Sequence, residues 1–359
     1  MKHTTAVAIS GGVDSMMAAY LLKEQGHHVI GIHFITGYET AWSDRQYNEK
    51  NAPHPVLDIG RQLDIAVQLK DIRSEFQETV IDNFIQAYEA GKTPNPCMTC
   101  NPAIKFGVIL SFARRLGATQ LATGHYARIK MDDRGRRRLF KGKDTSKDQS
   151  YFLARLTQNQ LAKACFPLGV MKKTEVKQLA KHKGYEPVTR GESQDVCFVS
   201  QSTYSTFLTE QEGFESKPGL IEDVTGKVIG EHNGLHLFTI GQRRGINCPA
   251  SEPYYVIRLD IEHNRLIVGS KRDLLSSECR VIDINWIHEE PESAIDVCTR
   301  VRYRSQEVPS TVYPQKNQTA IVRFKSPQAA VTPGQGAVFY RGEEILGGGW
   351  IEESIAYRA

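Results

Sequence analysis

TAVAISGGVDS, residues 5–15, is the stretch from which the fold is read. Thr5 to Ser10 is a short β-branched and apolar run that reads as a strand, and Gly11 and Gly12 then turn the chain. A helix is predicted from about Ser15 to Gln25, with Gly26 as its stop. Two glycines let the backbone turn tightly and expose consecutive N–H groups. Ser10 and Ser15 add hydroxyl donors, and a helix N-terminus supplies partial positive charge. Together these groups make a cradle for an anion such as a phosphate. The bland reading is a strand-to-helix turn whose glycines only relieve steric strain.

Outward from this turn, His28 to Phe34 reads as the next strand. A helical pattern follows around Val56 to Leu63, then a strand at Ala66 to Leu69 and a helix from about Ser74 to Ala90. The alternation predicts an α/β domain whose parallel sheet is covered on both faces. GKTPNPCMTCNP, Gly91 to Pro102, holds three prolines and reads as a loop. A helix at about Ile104 to Leu116, a strand at Gln120 to Ala122 and a β-hairpin over Ala127 to Lys141 are expected next. Beyond about Ser202, Gly-rich alternating segments suggest a small central domain. From about Glu278, short strands at Val297–Tyr303, Thr319–Phe324, Ala337–Tyr340 and Glu344–Trp350 suggest a C-terminal β-barrel or sandwich. The expected division is 1–201, 202–277 and 278–359.

The 359 residues are too many for one typical core. Hydrophobic residues at 40% and charged residues at 24% are ordinary globular values. No apolar run is long enough for a signal sequence or a bilayer span, so a cytoplasmic protein with no membrane partner is expected. A net charge of +4 permits nucleic-acid binding without arguing for it, so such a claim rests on local clusters. Seven cysteines, an odd number in a long chain, disfavour a disulfide scaffold.

The turn has no GxxxxGK[ST] lysine and no GxGxxG spacing, which disfavours a Walker A loop and a dinucleotide site. Ser10-Gly11-Gly12-Val13-Asp14-Ser15 instead resembles the PP-loop of the ATP pyrophosphatase superfamily, whose members adenylate a substrate and release pyrophosphate. That resemblance names the activation chemistry and leaves the substrate open, since GMP, NAD, asparagine and argininosuccinate synthetases share the loop.

A single cysteine is most often a small buried hydrophobe, a reading that suits Cys165, Cys248, Cys279 and Cys298. Cys100 and Cys197 sit in polar, Gly- or Pro-containing surroundings, where reactive thiols are commoner. TPNPCMTCN, ATGHYARI, KDQSYFL, ESQDVCFV and FTIGQRRG follow SGGVDS in that order, and the set resembles the tRNA-specific 2-thiouridylase family over essentially the whole chain. The resemblance implies a PP-loop domain, a small central domain and a C-terminal β-barrel, acting on the wobble uridine of certain tRNAs. It also implies a cysteine desulfurase or a sulfur-relay protein as sulfur donor. A uridine C2 carbonyl is a poor electrophile, and adenylation makes AMP the leaving group, which explains ATP with Mg²⁺ bridging its phosphates. Sulfur arrives as a thiolate or persulfide anion.

By the same resemblance Cys197 carries the persulfide and Cys100 is its catalytic partner. Ala8, Ile9 and Ser10 to Ser15 (Gly11, Gly12, Val13 and Asp14 between them), with Phe34 and Gly124, would meet ATP. Asn95, Pro96 and Cys97 would border the target base. His125, Lys147, Asp148, Gln149, Tyr303, Arg304 and Gln335 would contact tRNA. One departure stands out: many family members carry an aspartate where this chain has Cys97, which leaves an acid/base role open there. Cys97, Cys100 and Cys197 offer three thiolates that could instead hold a [4Fe–4S] cluster. The alternative is that Cys97 lines the pocket passively.

Basic clusters occur at Arg136, Arg137, Arg138, Lys141, Lys143 and Lys147, and at Arg243-Arg244. Arg300, Arg302 and Arg304 alternate, as along one face of a strand. Such runs are usually solvated faces. Three rival functions remain: a small-molecule PP-loop synthetase, a PP-loop thiolase acting on another RNA base, and a non-enzymatic RNA-binding module. The first needs neither the Cys100/Cys197 pair nor a barrel, the second departs in motif order, and the third has no use for a pyrophosphate loop.

Overall fold

The computed structural model describes residues 4–38, 54–189, 196–199, 203–249 and 251–357. The chain divides into two compact units. The first comprises 1–81, 96–201 and 343–346; the second comprises 82–95, 202–342 and 347–359.

The first unit opens with β1 (Thr4–Ala8), α1 (Val13–Glu24), β2 (His28–Ile35), α2 (Leu57–Leu63), β3 (Ala66–Asp71) and α3 (Arg73–Phe76). A π-helical segment, Gln77–Ile81, follows, and α4 (Asp82–Glu89) belongs to the second unit. The chain re-enters the first unit with α5 (Pro96–Cys100), a π-helix over Asn101–Ile109, α6 (Leu110–Arg115) and β4 (Gln120–Ala122). The hairpin β5 (Ala127–Met131) and β6 (Arg137–Lys141), then α7 (Gln158–Leu161), β7 (Ala164–Cys165) and α8 (Lys173–His182), complete it. The core sheet runs β3-β2-β1-β4-β7, and every pairing in it is parallel. Helix α1 buries all of Ser15 to Tyr20 and Leu22, because a helix inside a layered α/β unit has apolar neighbours on several sides. The order reverses beside β1: β2 and β3 lie to one side and β4 to the other. That switch point is where open α/β sheets leave a crevice at their strand ends.

In the second unit, α9 (Tyr204–Thr209) precedes β8 (Gly219–Asp223), β9 (Val228–His232), β10 (Tyr255–Asp260) and β11 (Arg265–Gly269), which form a four-stranded sheet in the order β10-β11-β8-β9. Six strands follow: β12 (Leu275–Trp286), β13 (Ile295–Arg300), β14 (Val308–Gln315), β15 (Thr319–Ala329), β16 (Gly336–Arg341) and β17 (Glu344–Ala356). Their order β12-β15-β14-β13-β16-β17, with β12 pairing back on β17, closes a barrel and removes free edges. Helix α4 packs here, with Tyr88 stacked on Tyr204 at 5.2 Å and Phe84 edge-on to Phe207.

Two expectations need correction. The Gly91–Pro102 segment is not loop throughout, since α5 begins at Pro96 and the π-helix carries Pro102 at its start. Proline at a helix start gives up only an N–H that has no partner there. Arg302 and Arg304 do not share a strand with Arg300: β13 stops at Arg300 and the chain turns, with Ser305 N donating to Arg302 O at 3.0 Å.

Candidate functional site

The Ser10–Ser15 turn is built by its own hydroxyls. Ser10 N donates to Ser15 Oγ at 3.1 Å, Ser15 Oγ donates to Gly12 O at 3.0 Å, and Gly11 takes φ +91°. Gly11 O accepts from Val188 N and Thr189 N, which hold the turn from outside. Helix α1 starts without a side-chain cap at Gly12, so its first amides are not consumed by one. Gly124, just beyond β4, faces this turn across the switch point. A Cβ there would lie 2.9 Å from Asp14 and Ser15 backbone atoms, so the position takes only glycine without displacement. Ala8 and Ile9 are buried where β1 ends, and Phe34 is half-buried near the end of β2.

Sequence reasoning missed Lys173. Its ammonium donates to Asp14 Oδ2, and Tyr126 Oη donates to Asp14 Oδ1 at 2.8 Å. Lys173 is buried, so the one acid of the turn is neutralised in place. A lysine 159 positions from Asp14 gives no local signal of this pairing.

Cys97 and Cys100 lie in the first unit on α5, three residues apart and thus on one face. Cys197 is exposed in a turn anchored by Phe198, which is buried and packs edge-on to Tyr38 and Phe76 with ring centres 6.1 Å away. Burial pushes the Cys97 thiol up to about 11, with the charge of Cys197 adding to the rise and Lys105 opposing it. Burial pushes Cys100 up to about 12, opposed by Lys105 and reinforced by Cys197 and Cys97. The fold thus brings Cys197 within electrostatic reach of both α5 thiols. Asn101, fully buried, ties α5 down by donating its amide to Cys97 O at 2.9 Å and Phe152 O at 3.2 Å. Among the described residues, no three His, Cys, Asp or Glu side chains are grouped closely enough to hold a metal ion.

Lys105 is the second residue missed. Its Nζ lies 3.4 Å from His125 Nε2, while His125 Nδ1 is 2.6 Å from Thr123 Oγ1. An ammonium only donates, so Nε2 accepts and Nδ1–H donates to Thr123. Desolvation, with the Lys105 charge beside it, holds His125 well below its usual pKa and neutral.

Among the expected tRNA contacts, Asp148 is buried and accepts from Gly142 N, Ser150 N and Ser150 Oγ, while Gln149 exchanges hydrogen bonds with the Tyr126 backbone. Both shape the loop, and Lys147 beside them stays half-buried. Arg138 is paired with Glu344 and Asp132, which removes it from the free positive charge of its cluster. Asn95, Tyr303, Arg304 and Gln335 lie in the second unit, where Gln335 donates its amide to Thr93 O and Pro94 O. Arg243 and Arg244 are exposed. Gln194 and Asp195, which flank Cys197 in the sequence, lie outside the described residues.

Three family models match the chain: the tRNA methyl transferase HUP domain over residues 3–201, the tRNA methyl transferase PRC-barrel domain over 205–270, and the aminomethyltransferase beta-barrel domain over 276–351. Proteins named tRNA-specific 2-thiouridylase MnmA are similar along nearly their whole length. That of Desulfosudis oleivorans is 49% identical, covering 96% of this chain and 94% of the relative. That of Geotalea uraniireducens is 44% identical over 99% and 96%, and that of Geobacter metallireducens 42% over 99% and 98%.

Proposed function

Because the chain belongs to the tRNA-specific 2-thiouridylase family, we propose that it is a tRNA-uridine 2-sulfurtransferase that spends ATP on the wobble uridine. The observation that supports the reading is that Cys100 and Cys197, 97 positions apart, lie in the unit that also holds the Ser10–Ser15 turn, near enough for the charge of Cys197 to be felt at Cys100. Backbone amides and serine hydroxyls of that turn bind the phosphates, and the Asp14–Lys173 pairing keeps the turn's acid from repelling them. Mg²⁺ would enter on the phosphates and supply charge neutralisation.

Adenylation of the C2 oxygen makes AMP the leaving group. A sulfur donor, a desulfurase or a relay protein, leaves a persulfide on exposed Cys197. The Cys100 thiolate then attacks Cys197 Sγ, the persulfide S–S bond breaks, and hydrosulfide departs as a Cys100–Cys197 disulfide forms. Hydrosulfide adds at C2, AMP leaves with the former oxygen, and loss of a proton gives the 2-thio base. An external thiol reduces the disulfide. Pro96 and Cys97, with Asn95, border the base, and Lys147, Arg243, Arg244, Tyr303 and Arg304 supply RNA contacts.

The test is mass spectrometry of tRNA nucleosides after incubation with ATP, Mg²⁺ and a sulfur source. Cys100→Ser and Cys197→Ser are each expected to abolish 2-thiouridine while tRNA-dependent pyrophosphate release persists. Near-normal sulfur transfer by either variant sinks the two-thiol scheme. Iron in anaerobically purified protein, lost in Cys97→Ser, is the outcome that favours a cluster instead.

A further inference from the structure

We propose that Gln149 and Asp144 are positioning residues of the ATP site, holding Tyr126 and Lys173 on the carboxylate of Asp14 in the Ser10–Ser15 turn. The proposal rests on the reading of that turn as the phosphate cradle. Asp14 is engaged at both oxygens, by Tyr126 Oη on Oδ1 and by the Lys173 ammonium on Oδ2. That ammonium also lies 5.9 Å from the centre of the Tyr126 ring, so the three side chains form one group. What holds the two partners in place is a single loop, residues 142–150.

Tyr126, just before β5, is fixed through its backbone. Tyr126 N donates to Gln149 Oε1 at 3.1 Å, and Gln149 N donates to Tyr126 O at 3.0 Å. Gly142, at the other end of the loop, closes on the same backbone: a Cβ there would fall 2.8 Å from Tyr126 O. Lys173 is the first residue of α8, where an N–H has no acceptor within its own helix. Asp144 Oδ2 supplies one at 2.9 Å, and so sets the point from which the Lys173 side chain starts towards Asp14. The other oxygen, Asp144 Oδ1, accepts from Ser146 N and Ser146 Oγ.

The loop is closed on itself. Buried Asp148 ties its ends together, accepting from Gly142 N at 3.0 Å and from Ser150 N at 3.1 Å. Both partners of Asp14 therefore depend on one short closed loop, and all of these residues lie in the first unit. With either partner displaced, Asp14 carries unbalanced negative charge in the first turn of α1, beside the amides that face the phosphates. Gln149, for which the family resemblance implies a tRNA contact, thus has its Oε1 committed to Tyr126 N. In this scheme it touches no phosphate and acts through Tyr126.

The experiment measures binding of ATP with Mg²⁺ to the full-length protein without tRNA, by calorimetry, beside tRNA affinity by filter binding. Gln149→Met is expected to weaken ATP binding about threefold to tenfold, the range for one lost hydrogen bond, with tRNA affinity kept within about twofold. Gln149→Glu, which keeps the acceptor oxygen, is expected to hold ATP affinity within about twofold of the parent. In a Tyr126→Phe background, which lacks only the hydroxyl that meets Asp14, Gln149→Met should add less than about twofold. Unchanged ATP affinity in Gln149→Met overturns the proposal. So does its full effect persisting in the Tyr126→Phe background, or a loss of tRNA affinity with ATP affinity intact. If Gln149→Met does not fold, Asp144→Asn serves, because it leaves one oxygen for two sets of donors. Weaker ATP binding is then expected, and unchanged binding overturns the idea. A parent protein that binds ATP yet forms no 2-thiouridine sinks the sulfurtransferase reading and leaves the ATP comparison intact, so the two failures are separable.

Discussion

Asp14 illustrates how one side chain is given opposite duties by sequence and by structure. In SGGVDS it sits in the first turn of α1, where an acid favours the helix dipole, yet an anion cradle is a poor place for a free carboxylate. Lys173 and Tyr126 resolve the conflict by occupying both of its oxygens. Lys173→Met is expected to slow pyrophosphate release at least tenfold while leaving tRNA affinity, read by filter binding, within about twofold. Its stability cost should be about 1–2 kcal/mol in urea, less than for a fully buried pair because Asp14 is a third exposed. His125 makes a prediction about pH. The folded state keeps it neutral, while the unfolded chain protonates it near its ordinary 6.5. Below that pH the unfolded state binds the extra proton, so this stabilising contribution is full above 6.5 and is lost as pH falls. His125→Gln should flatten the acid side of the stability curve, measured by urea midpoints between pH 5 and 7.

At the scale of elements, most helices and strands of the first unit follow from hydrophobic period and Gly punctuation. The exceptions show which force won. Pro96 and Pro102 read as helix breakers, but at a helix start a proline is well placed, so α5 and the π-helix form where a loop was expected. The helix expected over Ser74 to Ala90 is interrupted by π-winding at Gln77–Ile81, and hydrophobic period alone does not tell i→i+4 from i→i+5 bonding. Short α7 depends on its ends: Thr157 and Gln160 form a reciprocal capping box. Thr157→Ala should cost about 1 kcal/mol in chemical denaturation. Gly169 is set by contact, since a Cβ there would fall 1.8 Å from Ala127 O. Gly169→Ala should cost at least about 1–3 kcal/mol by the same measurement, because a backbone oxygen cannot step aside as a side chain can.

For the molecule as a whole, charge is local. A net +4 over 359 residues gives little long-range attraction for RNA, and Arg138 is tied up in ion pairs. Binding of tRNA should therefore depend on a few exposed cations such as Arg243 and Arg244. Replacing both with Gln is expected to reduce the slope of log affinity against log salt by about 1–2, as each neutralised phosphate contributes roughly 0.7–0.9. An unchanged slope would assign that pair to solvent. No helix among the described residues is long and apolar enough to cross a membrane.

By itself the sequence determined the Ser10–Ser15 turn, the parallel α/β character of the first unit and four of the six barrel strands, because these depend on local period, glycine placement and ordered motifs. It also marked Cys100 and Cys197, through their polar and turn-rich surroundings and their family motifs. Tertiary structure alone decided that Lys173 neutralises Asp14, that Lys105 Nζ meets His125 Nε2, and that Gly124 meets the α1 N-terminus across the β1–β4 switch point. Those relations join residues up to 159 positions apart, and charge and steric contact act through space, where hydrophobic period along the chain carries no record of them.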